Sequence, residues 1–171
     1  MNKHILGIDP GLAKFGYAIT DYDLNLEAFN CVETKKGNAR LKAVDDFIRY
    51  KQITRILKYL KNNYNIALIC AESMSHPRAA QSAAKLARSW GVLGFFSEEL
   101  SVPVIMLSPQ EIKRSLTGAT NASKQDIQDA LRAKGYDLPK MAKAKLEHPA
   151  DALAAIFACQ YTQIFRAVVN N

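Results

Sequence analysis

Four side chains have the types and positions for metal-assisted phosphodiester chemistry. Asp9 ends the apolar run "ILGID", Glu72 ends the run "IALICAE", and Asp151 opens the last helical stretch with His148 three residues before it. A carboxylate at the end of a buried strand costs several kcal/mol unless a cation meets it. In mixed sheets, ligands gather beyond the carboxyl ends of strands. If the strand ending at Glu72 pairs parallel to the one ending at Asp9, the two acids sit side by side, and the last helix can bring Asp151 over the same edge. Three carboxylates that close repel and raise one another's pKa unless cations are present. Two Mg²⁺ ions about 3.5–4 Å apart suit such a cluster and would cleave a phosphodiester. Oxygen donors favour Mg²⁺, or Mn²⁺ in its place. The three cysteines, Cys31, Cys70 and Cys159, lack zinc-type spacing.

The elements that must position these residues follow from periodicity. Residues 4–9, 15–20 and 24–34 read as an antiparallel three-strand meander. Residues 40–63 have helical spacing, with Leu41, Val44, Ile48, Ile53, Ile56, Leu57 and Leu60 as the apolar stripe. The runs 65–72 and 101–108 read as strands covered on both faces, with a helix over 78–100 between them. Ser108 and Pro109 start a short helix. Ser123 with Asp126 forms a capping signal for another, ending near Lys134. A last helix runs from 147 to 169, with Pro149 at its first position and Leu153, Ile156, Phe157, Tyr161, Ile164, Phe165 and Val168 as its buried stripe. The order predicts one α/β domain over 1–171, with a mixed five-stranded sheet and helices on both faces.

The charge balance names a partner class. The chain has 171 residues and a formal charge of +7, which favours an anionic partner, nucleic acid first. Eight Lys or Arg against three acids lie between 113 and 145. Lys113, Arg114, Lys124, Lys140, Lys143 and Lys145 are the candidate phosphate contacts. No apolar run approaches the roughly 20 residues that span a bilayer. The odd, unpaired cysteines fit a reducing compartment, so a cytoplasmic protein without membrane contact is expected.

Four segments, "LGIDPG…GYAI", "AES", "KRSLTGATNASKQDIQ" and "HPADALAAI", occur in an order and at a spacing that resemble the RuvC-type Holliday junction resolvases, a ribonuclease H-like family. The resemblance covers nearly the whole chain. It implies a ribonuclease H-like fold and a homodimer that nicks opposed strands of a four-way junction. It also implies Asp9, Glu72 and Asp151 as metal ligands, with His148 in the fourth catalytic position as ligand or partner of the attacking water. Lys113 and Lys124 match basic residues near the scissile phosphate. The resemblance further brings a branch-migration helicase into consideration as a partner. One departure is visible: the family commonly carries an aromatic wedge shortly after the strand-four glutamate, whereas this chain reads "ESMSHPRAA", with Met74, Ser75 and His76 there. A broader nuclease for flaps and forks and a non-catalytic junction-binding protein stand as alternatives. An actin-like sugar kinase needs two such domains and is excluded by length. Along the helix over 78–100, Ala80, Ala84, Ala87 and Gly91 line one face and Ala83, Leu86, Trp90 and Leu93 another, as a helix between its own sheet and a partner would have.

Overall fold

The computed structural model describes residues 2–73 and 80–170. Five strands, β1 (Lys3–Asp9), β2 (Lys14–Thr20), β3 (Leu26–Glu33), β4 (Asn65–Glu72) and β5 (Val104–Leu107), form one sheet in the order β3-β2-β1-β4-β5. β1–β2 and β2–β3 are antiparallel, whereas β1–β4 and β4–β5 are parallel. This is the expected meander with two parallel additions. The helices are α1 (Lys42–Asn63), α2 (Ala80–Leu100), α3 (Pro109–Thr117), α4 (Lys124–Ala133), α5 (Lys143–Cys159) and α6 (Gln163–Val169).

Strand alternation divides the core in two. Leu6, Ile8, Phe15, Tyr17, Ile19, Ile69 and Ala71 face α1 and α2. Ile5, Ala18, Leu68 and Cys70 face α3, α4, α5 and α6. Asp9 follows the parity of Ile5 and Gly7, and Glu72 that of Leu68 and Cys70, so both acids are turned toward the α5 face. α5 lies close on the sheet because its contact surface is small: Ala150, Ala152, Ala154 and Ala155 are at most 1% exposed. The sheet is equally bare beneath it. A β-carbon on Gly7 would lie 2.2 Å from the Ala152 carbonyl oxygen, and one on Gly16 2.3 Å from the His148 carbonyl carbon. Glycine in a strand interior costs stability; here it admits the helix that carries His148 and Asp151.

Several boundaries differ from the sequence expectation. α5 starts at Lys143, so Pro149 lies inside the helix rather than at its first position. "KAKLEH" ahead of the proline is rich in strong helix formers, and buried Leu146 anchors the added turn to the core. These outweigh the single backbone hydrogen bond that the proline removes. The last helix is also two helices. The chain bends by 87° between α5 and α6, and the Thr162 side chain caps the second by accepting the Phe165 amide. Tyr161 and Ile164 are consequently 57% and 49% exposed instead of buried. Leu41, Val44 and Ile48 of the expected α1 stripe are exposed as well, because the helix turns its opposite face, Asp46, Arg49, Tyr50, Ile53, Leu57 and Leu60, to the core. β5 is shorter than the predicted 101–108 strand. Met74, Ser75 and His76, and the side chains of Ala80 and Leu86, lie outside the described residues. Of the two expected α2 faces, Leu93 is buried while Ala84, Ala87 and Gly91 are exposed. No single helix among the described residues is long and apolar enough to cross a membrane.

Candidate active site

β1 and β4 run parallel with Ile8 opposite Ala71, so Asp9 and Glu72 are the next residues on two adjacent strands, at the same end and on the same face. α5 crosses that end. Because the His148 backbone rests on Gly16, and Gly16 is the register partner of Asp9, the His148 ring falls beside the Asp9 carboxylate. His148 Nδ1 lies 2.6 Å from Asp9 Oδ2. This contact holds the His148 pKa above its usual value, against the opposing effect of burial. Asp151, one helical turn later, receives the Lys124 ammonium as an ion pair, with side-chain exposures of 12% for Asp151 and 49% for Lys124. Lys124 is the first residue of α4, and a capping box of Ser123 and Asp126 fixes where that helix begins. The Lys124 pKa is affected most by burial, which lowers it, but Asp151 and then Glu72 and Asp9 hold it above its usual value.

Burial dominates the electrostatics of the cleft. Burial, and then the charge of Asp151, push Glu72 up to about 7, with Lys124 opposing and Asp9 adding. Burial raises Asp151 to about 6 despite Lys124. Lys113 on α3 lies near enough to Glu72 to act against its shift. The donor set of three carboxylates and an imidazole suits a hard divalent cation, and the raised carboxyls mark where positive charge is wanted. Among the described residues, no group of three or more His, Cys, Asp or Glu side chains is already set to hold a metal ion; His148 engages Asp9, and Lys124 engages Asp151.

The other basic candidates are spread more widely. Arg114 on α3, Lys140 before α5 and Lys143 at its start are exposed. Lys145 is paired with Glu33 at 3.2 Å, on the β3 side of the site. Sequence reasoning missed Lys14, whose Nζ donates to the Ala144 carbonyl at 2.9 Å and ties the first turn of α5 to β2. It also missed Gly7 and Gly16. Two glycines inside strong strand patterns were the available signal, since such glycines mark close backbone approach.

Comparison with known proteins gives one consistent result. A family model described as crossover junction endodeoxyribonuclease RuvC matches residues 5–159. The chain is 30% identical over 166 residues to the crossover junction endodeoxyribonuclease RuvC of Chlamydia felis, covering 96% of each chain. It is 29% identical over 160 residues to that of Prochlorococcus marinus, covering 93% of this chain and 96% of the relative. Among solved structures, Thermus thermophilus RuvC in complex with Holliday junction substrate has the same fold, with TM-score 0.72, 22% identity, and 98% and 96% of the two chains covered. The yeast mitochondrial Holliday junction resolvase Ydc2 superposes with TM-score 0.65 at 13% identity, over 97% of this chain and 80% of that one. The five-stranded mixed sheet with helices on both faces is thus the ribonuclease H-like fold that the sequence led us to expect.

Proposed function

The chain belongs to the RuvC family of crossover junction endodeoxyribonucleases and is a junction-resolving nuclease; from that premise we propose how its residues cut DNA. Asp9, Glu72 and Asp151, with His148, form the catalytic cleft for a four-way junction, and residues 1–171 act as one nuclease domain. What carries this reading is the meeting of two strand ends and one helix: Asp9 and Glu72 at adjacent ends of parallel strands, with His148 and Asp151 laid over them.

The three carboxylates are the ligands for two Mg²⁺ ions, with Mn²⁺ able to substitute. Bound there, the metals would stabilise charge on the scissile phosphate and ease ionisation of the attacking water. The chain's own residues do the positioning. Asp9 orients the His148 ring through Nδ1, which leaves Nε2 as the nitrogen for a metal or for the proton of the attacking water. Metal affinity of His148→Ala separates these two roles, because only a ligand role predicts weaker binding. Lys124 neutralises Asp151 in the cleft; with a divalent cation held by that carboxylate, its ammonium would be free to meet the phosphate. Lys113, Arg114, Lys140 and Lys143 supply backbone contacts, with Lys145 reaching DNA from its Glu33 pair.

The protein works as a homodimer joined through α2. Support comes from its outward face, where Ala84, Ala87 and Gly91 are exposed and Phe95 is 70% exposed; an apolar helix face of that kind calls for a partner. Two-fold symmetry then sets two clefts on opposed strands of the junction. The test is cleavage of a labelled four-way junction with Mg²⁺, beside a flap, a fork and plain duplex. Paired symmetric nicks in the junction alone are expected. Equal cutting of flaps and forks would instead assign the broader nuclease.

A further inference from the structure

We propose that the connection from β3 to α1, residues 34–40, is a second DNA-backbone surface, separate from the basic tract at 113–145 and fastened to the catalytic turn. The proposal rests on the junction-cutting reading above and names where a further length of the same substrate lies.

Three observations converge on this segment. The first is charge: "TKKGNARLKAV", residues 34–44, has four cations and no acid. Lys35, Lys36 and Arg40 are exposed, and among the described residues none of these three has an acidic partner within ion-pair distance.

The second is that the segment is held in place. The Lys35 amide donates to Gln52 Oε1 at 3.0 Å, and Gln52 Nε2 donates back to the Lys35 carbonyl at 3.1 Å. The Gly37 amide donates to Asp45 Oδ1. Both partners lie on α1, so the strap backbone is laid along that helix and has little ordering left to do on binding.

The third is location. β3 returns to the sheet end where Asp9 lies, and the strap begins by clasping the turn that follows Asp9. The Thr34 amide donates to the Ala13 carbonyl at 3.1 Å, and the Thr34 hydroxyl donates to the Leu12 carbonyl at 2.5 Å. Beneath it, Arg49, only 5% exposed, donates from Nε to Thr34 Oγ1 at 2.8 Å. A buried guanidinium donating to that hydroxyl braces the corner where the strap meets the catalytic turn. A cationic ribbon fixed to the catalytic turn, on the far side of it from α3 and α4, fits the phosphates of duplex leaving the cleft. Phosphate-binding lysines and arginines release counterions, so the contact has a thermodynamic signature.

The experiment measures junction affinity as a function of salt by fluorescence anisotropy in EDTA, with full-length protein. The triple variant Lys35→Ala/Lys36→Ala/Arg40→Ala is compared with wild type and with a charge-matched control toward the opposite end of the sheet, Lys3→Ala/Arg55→Ala/Arg166→Ala. The strap variant is expected to bind roughly tenfold more weakly near 100 mM salt and to lose about 2–3 from the slope of log affinity against log salt. The control is expected to lose little of either, and Lys35→Arg/Lys36→Arg/Arg40→Lys to retain binding. A strap variant whose affinity and slope match the control overturns the proposal while leaving the catalytic reading intact. A wild-type protein that neither binds nor cuts a junction removes the catalytic reading, and the strap proposal with it. A thermal melt of the strap variant within a degree or two of wild type assigns any loss to contact rather than to folding.

Discussion

Gly16→Ala tests whether the cleft is set by how closely α5 approaches the sheet. An alanine β-carbon at position 16 would stand 2.3 Å from the His148 carbonyl carbon and 2.4 Å from its oxygen. Such contacts need at least 3.0 Å, so helix and strand must part by about 0.7 Å. Overpacking of this kind costs about 1–3 kcal/mol, which for a chain of this size lowers Tm by roughly 3–10 °C. The effect on rate is larger. His148 and Asp151 ride on the displaced helix while Asp9 and Glu72 stay with the strands, and a misplacement near 1 Å costs about 10²-fold. Single-turnover junction cleavage at saturating enzyme reads this loss, while affinity measured in EDTA changes little. Because the clash is with backbone atoms, truncating the side chain in Gly16→Ala/His148→Ala does not restore the melting temperature. A Gly16→Ala protein with wild-type rate and Tm would refute the idea that this contact sets the geometry.

Asp9→Asn removes the charge at the strand end and should lower cleavage by at least about 10³-fold while leaving junction affinity intact; full activity in this variant would end the assignment. The metal-free protein should be less stable at pH 8 than at pH 5. Glu72 and Asp151 have folded-state pKa values raised to about 7 and about 6, so the native state holds these protons more tightly than the unfolded chain, and stability is lost as pH rises from about 4.5 to 7. His148, also raised, is lost in the same direction. Glu72→Gln should flatten the profile in thermal melts, and Mg²⁺ should restore stability at the upper end. Phe95→Asp should give monomers in size-exclusion chromatography with light scattering, with paired nicking replaced by single nicks. Ser123→Ala removes the cap of α4 at about 1 kcal/mol, and should slow cleavage by loosening Lys124 more than it weakens binding.

The strand ends were legible because burial leaves a plain mark: an acid closing a run such as "IALICAE" breaks an otherwise continuous apolar pattern, and both acids so marked lie at one sheet end. The start of α5 was not legible, because Pro149 resembles a first-turn proline by every local rule. What decides it is Leu146, buried by contacts made far along the chain. The break before α6 has the same origin. Tyr161 and Ile164 keep helical spacing with Phe157 and Phe165, and only the Thr162 cap, a weak signal by itself, turns the chain away. On α1, Leu41, Val44 and Ile48 share a face of their own, opposite the buried stripe of Asp46, Arg49, Tyr50, Ile53, Leu57 and Leu60. Periodicity reports which residues share a helix face, but where apolar residues fall on two faces, as on α1, it is silent about which face the neighbour covers.

The pairings within the cleft belong to a further level. That Asp9 meets His148, 139 residues away, and Asp151 meets Lys124, 27 residues away, depends on how α4 and α5 pack. The sequence does carry the condition that makes those pairings possible. Gly7 and Gly16 occupy the α5 face of β1 and β2, in strands whose other residues are mostly β-branched, aromatic or long. A glycine there forfeits packing and backbone entropy and so calls for something in return. Its return is the depth to which α5 sinks, 2.2 Å from an absent β-carbon at Gly7 and 2.3 Å at Gly16. That depth lets a histidine and an aspartate on a helix reach a carboxylate that ends a strand. Catalytic geometry in this chain is therefore written in two kinds of residue, the acids that act and the glycines that let them converge, and substitutions at the second kind should mimic losses at the first without touching a single donor atom.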